Sequence, residues 1–194
     1  MIGRRVRTLH PDALARLSSC GAPGSVPRAG DQAWACAAAE QWGMCGLALV
    51  HNDHVVAHAL VCPTLNLPPD HPLARWSRSP ESAALIELHR TDGAPDDAEK
   101  VLVQSLAARL EGRVGGLEAA GALGRPNCHQ PTCTWLEEVG FLPVPGAASP
   151  TGRRMRLDLA STVIWRPGLR GAWRAVHTLV ERPLGAEPTG RGQH

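Results

Sequence analysis

A chain of 194 residues with 43% apolar content is long enough for one globular domain with a core of useful size. Its formal net charge of +2 is too small to imply general nucleic-acid binding and leaves room for local basic patches. No apolar run approaches the roughly 18 residues that a bilayer-crossing helix needs.

In chain order, the basic start MIGRRVRTLHPD lacks the apolar segment of a signal peptide, so a cytoplasmic protein is expected. Residues 1–30 read as irregular because Pro and Gly cluster in CGAPGSVPRAGD. Asp31 is the expected N-cap of a helix over QAWACAAAEQW that stops at Gly43. CGLALVHNDHVVAHALVC places two apolar runs around HND, the pattern of a β-hairpin whose strands are covered on both faces. The Pro- and Ser-rich PTLNLPPDHPLARWSRSPES is a long loop. AALIELHR is a strand with Leu85, Glu87 and His89 on one face and Ala84, Ile86 and Leu88 on the other.

From Asp96 or Asp97 a helix runs to about Glu111, with Leu102, Val103, Leu106 and Leu110 as its apolar stripe. Asp96 and Glu99 have the spacing of a capping box. GLEAAGA is a short strand, and Pro131 suits the first turn of a helix through TCTWLEEV that Gly140 closes. FLPV and RRMRLDL are strands, the latter with Met155, Leu157 and Leu159 on a common face. A last helix starts near Pro167, with Leu169, Trp173, Val176 and Val180 on one stripe. One domain is expected over residues 1–182, followed by a disordered tail, PLGAEPTGRGQH, over 183–194. No internal repeat is present.

Six cysteines would allow three disulfides, but without a secretion signal reduced thiols are expected. CHQPTC lacks paired C-x-x-C spacing, so no metal site is assigned.

The element order, with WGMCGLALVHNDHVVAHALVCP, KVLVQSLAARL, CHQPTCTWLEEVGF and RRMRLDLASTVIWR, resembles the GNAT superfamily of acyl-CoA-dependent acyltransferases over roughly residues 34 to 175. The resemblance implies an α/β (α+β) fold, a mixed, splayed sheet flanked by helices. It implies transfer of an acyl group from a thioester to an amine, with no tightly bound cofactor and the acyl thioester as co-substrate. In the family the loop after the fourth strand reads Gln/Arg-x-x-Gly-x-Gly/Ala and holds the coenzyme A pyrophosphate at a helix N-terminus. The corresponding HRTDGAPDDAEK keeps only Gly93 and supplies Asp92, Asp96, Asp97 and Glu99. A carboxylate about 4 Å from a phosphate costs about 1 kcal/mol in water and about 4 near a protein surface. Donor contacts implied by the family fall on Leu88, His89, Arg90, Gly93 and Lys100.

Glu87 or His89, about 7 Å apart along the strand, can serve as general base for the amine. The family's tyrosine acid is excluded, since the chain has no Tyr. Cys133 and Thr134 lie on the helix where a leaving-group acid would stand, and Cys128 precedes it as a candidate nucleophile. Trp42, Met44 and His58 are candidate acceptor contacts. Arg153, Arg154 and Arg170 form a basic cluster suited to an acidic acyl carrier protein, whose phosphopantetheine arm offers a thioester without the pyrophosphate. An aminoacyl-tRNA donor and a non-catalytic module that retains the fold are the alternatives.

Overall fold

The computed structural model describes residues 4–18 and 32–159. Seven strands form one sheet: β1 (Arg5–Leu9), β2 (Gly46–His51), β3 (His54–Pro63), β4 (Ser82–Arg90), β5 (Gly116–Ala122), β6 (Leu142–Ser149) and β7 (Gly152–Asp158). Their order is β1-β2-β3-β4-β5-β7-β6. Every neighbouring pair is antiparallel except β4 and β5. Three α-helices accompany them among the described residues: α1 (Ala33–Trp42), α2 (Ala98–Leu110) and α3 (Cys133–Glu138). This is the expected mixed α+β sheet with flanking helices.

Local chemistry accounts for most of these elements. Asn52 and Asp53 hold φ of 51° and 61°, the paired left-handed conformation of a tight hairpin turn, and thereby fix the β2–β3 register. Gly43, at φ 75°, ends α1 by donating its N–H to the Ala39 carbonyl. The stripe Leu102, Val103, Leu106 and Leu110 is buried, and α2 lies against β2, β3 and β4. Arg109 reaches from α2 to Thr8 Oγ1 at 2.6 Å. Thr8 shares a line across the sheet with Leu47, Ala59 and Leu88, so α2 covers the Leu88 face of β4. One continuous core joins Leu47, Leu60, Ile86, Leu106, Leu117, Phe141 and Met155. No helix among the described residues is long and apolar enough to cross a membrane.

Four local expectations are corrected. The first 30 residues are not irregular throughout: β1 pairs with β2 from Arg5↔Val50 to Leu9↔Gly46, and a 3-10 turn follows at Pro11–Arg16. The alternation in Arg5-Val6-Arg7-Thr8-Leu9 is the strand signal, and pairing with an apolar neighbour is what realises it. The capping box at α2 does not form. Asp97 is the N-cap but makes no side-chain cap bond, because Arg4 binds both its oxygens at 2.8 and 3.1 Å. Pro131 lies before α3 rather than in its first turn; Thr132 is the N-cap, and its hydroxyl accepts from the Trp135 N–H at 3.1 Å. Finally, Cys36, Cys62 and Cys133 are free thiols, but Cys128 is disulfide-bonded and so departs from the reduced state expected of it. The expected N-cap Asp31, the last helix with Leu169, Trp173, Val176 and Val180, and the tail lie outside the described residues.

Candidate active site

Among the described residues, the sheet splits at its one parallel junction. β4 pairs with β5 at Ser82↔Gly116, Ala83↔Leu117 and Ala84↔Glu118, although β4 continues to Arg90 and β5 to Ala122. A strand edge that loses its partner presents unpaired amides and carbonyls, which an extended chain can occupy. Here the turn after β5 enters the split. Leu88 N–H donates to the Cys128 carbonyl at 2.7 Å, while the Ile86 carbonyl meets His129 Nδ1 at 3.1 Å and His71 Nε2 at 3.0 Å. Asn127 shapes that turn by accepting at Oδ1 from the N–H groups of His129 and Gln130.

On the β4 face away from α2, the strand period brings Glu87 and His89 to one side, as expected. His58 on β3 pairs in register with His89 and joins them on that face. His58 Nε2 lies 2.8 Å from Glu87 Oε1, and both side chains are buried. With Glu87 ionised, its oxygens only accept, so His58 Nε2 carries the proton of this bond. The His58 and His89 rings stand 5.2 Å apart between centroids, tilted by 46°. His89 is half-buried.

The other candidates separate. Leu88 is buried, and its amide is engaged by Cys128. Arg90 is 3.5 Å from Asp96 at the entry to α2, where Gly93 at φ 82° and Lys100 are exposed. Glu99, in the first turn of α2, is half-buried, and that burial raises its carboxyl against the opposing pull of Arg90. Cys133 packs against β5 so closely that a Cβ on Gly121 would stand 2.7 Å from its sulfur. Burial pushes this thiol up, the reverse of activation. Thr134 beside it is exposed. Cys128, being disulfide-bonded, offers no thiolate, which removes it as the nucleophile. Trp42 and Met44 are core residues at 5% and 3% exposure.

Of the basic cluster, Arg153 is exposed and Arg170 lies outside the described residues. Arg154 is corrected: it is buried in a bidentate pair with Glu118, donating from Nε to Oε2 at 2.9 Å and from Nη2 to Oε1 at 2.6 Å. It also donates to the Ser77 carbonyl and Ser79 Oγ, while Arg156 reaches Glu118 Oε1 and Ser82 Oγ. This network and the His71–His129 pair were not singled out from the sequence. Both depend on long-range register, and isolated histidines in loops give no periodic signal. No group of three or more His, Cys, Asp or Glu able to hold a metal occurs among the described residues.

No protein-family model and no curated sequence matches the chain. Solved structures do match in fold. The ribosomal-protein-S18-alanine N-acetyltransferase from Escherichia coli aligns at TM-score 0.53 and 14% identity over 84% of this chain and 100% of its own. Ard1 from Thermoplasma volcanium aligns at 0.53 and 10% over 82% of this chain and 100% of its own. A GNAT-like decarboxylase, GphF, in complex with isobutyryl-CoA aligns at 0.55 and 14% over 80% and 99% respectively. At such identities the likeness concerns architecture, and with the split sheet and its flanking helices it establishes that the chain has the GNAT fold.

Proposed function

We propose that the chain is an N-acyltransferase that moves an acyl group from a thioester to an amine, releasing the donor thiol. The observation that carries this reading is the ionisable face of Glu87 and His89 on the strand that borders the split in the sheet, joined by His58 from the neighbouring β3. Amide formation needs a neutral amine, so a base at the reacting centre is the first requirement. The split offers the second, the β4 edge along which an amide-bearing thioester arm can lie once the Cys128 turn withdraws. Proteins of similar fold include an N-acetyltransferase and a decarboxylase in complex with isobutyryl-CoA, which supports the reading by analogy of fold.

The carboxylates at the α2 entry favour a donor without a pyrophosphate there, such as a carrier-protein phosphopantetheine arm, over free acyl-CoA. Arg153 is the exposed residue of the expected basic cluster among the described residues and is a candidate contact for an acidic carrier. The test offers acetyl-CoA, acetylated carrier protein and charged tRNA separately, each with a panel of primary amines, and follows free thiol or tRNA together with the mass of the acylated amine. Amine-dependent acylation, fastest from the carrier protein, is expected. Transfer from charged tRNA alone would move the assignment to an aminoacyl-tRNA-dependent transferase. Absence of transfer from all three donors would leave a non-catalytic module.

A further inference from the structure

Glu87 and His89 lie two residues apart on one face of β4, but access divides them. The Glu87 side chain is 0% exposed and that of His58 is 2% exposed, whereas His89 is half-buried. The His89 ring is therefore more accessible to an amine from solvent than the carboxylate is. His58 lies beside that ring, centroid to centroid at 5.2 Å, and is bonded to Glu87 at 2.8 Å.

We propose that His89 is the catalytic base and that His58 and Glu87 are positioning residues beside it, a proposal that rests on the acyl-transfer reading. In the step, an imidazole nitrogen of His89 takes one proton from the attacking amine as the C–N bond forms at the thioester carbonyl. The C–S bond then breaks, and the imidazolium returns that proton to the departing thiolate, so the products are an amide and a thiol. The positive charge that His89 carries meanwhile is offset by the Glu87 carboxylate, which the His58 bond holds in one orientation. The low-dielectric surroundings strengthen that attraction. The His58 bond thus holds the carboxylate in place as a counter-charge, and proton transfer falls to the more accessible ring.

The test compares wild type with His89→Ala, His58→Ala, His58→Gln and Glu87→Gln, using acetyl-CoA and acetylated carrier protein as donors. His89→Ala is expected to lower kcat about 10²-fold, and free imidazole in solution is expected to restore part of it. His58→Ala is expected to lower kcat about tenfold with little change in KM and no imidazole rescue. His58→Gln, whose amide can still donate to Glu87, is expected to recover most of that loss. Carbethoxylation by diethyl pyrocarbonate, mapped by mass spectrometry on wild type, provides a readout that needs no turnover: His89 is expected to react before His58. Full turnover by His89→Ala, or modification of His58 ahead of His89, overturns the proposal while leaving acyl transfer intact. If wild type transfers no acyl group, the acyl-transfer reading falls and this one falls with it.

Discussion

His71 accepts at Nδ1 from the Leu73 N–H at 3.2 Å, so its Nε2 carries the proton donated to the Ile86 carbonyl at 3.0 Å. Only the neutral ring can make both bonds. Burial is the main reason that its pKa is lowered to about 4; the nearby His129 acts in the same direction, and the Ile86 bond and Glu87 oppose it. The ordinary value is 6.5, so in the unfolded chain this side chain takes up a proton that the folded protein refuses. Stability is therefore lost as pH falls from about 6.5 towards 4, by about 2 to 3 kcal/mol from this residue. His71→Gln keeps a donor for Ile86 and removes the titration. Urea denaturation at pH 7 and pH 4.5 is expected to show a smaller acid loss for the variant than for wild type. An equal loss in both would assign the acid sensitivity elsewhere.

At the scale of the element, the start of α2 and the turn at Cys128 decide what the split can admit. Asp97 is held by Arg4, and Asp96 lies 3.5 Å from Arg90, so neither carboxylate is needed to cap the helix. Replacing both by Gly is expected to tighten coenzyme A by about tenfold or more, since each removes a like charge from the phosphate position. Calorimetry measures this directly, and micromolar binding by the unmodified protein would contradict it. The Leu88–Cys128 bond and the two histidine contacts at Ile86 occupy the β4 edge that a thioester arm would use. Saturating donor is accordingly expected to raise amide hydrogen exchange across residues 123–131, because the turn must withdraw. Unchanged protection there with donor bound would mean that the arm lies elsewhere.

Across the whole molecule, the two halves of the sheet meet at three register pairs, and the Glu118 network reinforces that junction. Arg154 links β7 to β5 and to the loop carrying Ser77 and Ser79, while Arg156 links β7 to Ser82 on β4. Arg154→Met strands Glu118 in a buried position with one guanidinium in place of two, and a cost of about 3 to 5 kcal/mol is expected. Replacing both partners, Arg154→Met with Glu118→Met, removes the unpaired charge and is expected to recover much of that loss. Chemical denaturation of the two single variants and the double variant checks this. A double variant no more stable than the worse single one would mean that the pair contributes beyond compensating its own burial.

The sequence by itself determined the element order from α1 to β7, because periodicity is a local property. The hairpin at Asn52-Asp53, the α2 stripe and the common face of Glu87 and His89 follow from spacing and turn chemistry within a few residues. That order, with the hairpin, α2 and later motifs, carries the GNAT resemblance. Tertiary structure decided the partners. Arg154 reads as one of a surface run of arginines until β7 pairs with β5 and sets Glu118 against it. His58 reads as a hairpin histidine until the β3–β4 register brings it to Glu87, 29 positions away. Arg4, 93 positions from Asp97, takes the carboxylate that local spacing assigns to the helix. Charges act through space and burial sets their strength, so a group's role is fixed by neighbours that only the folded chain brings together.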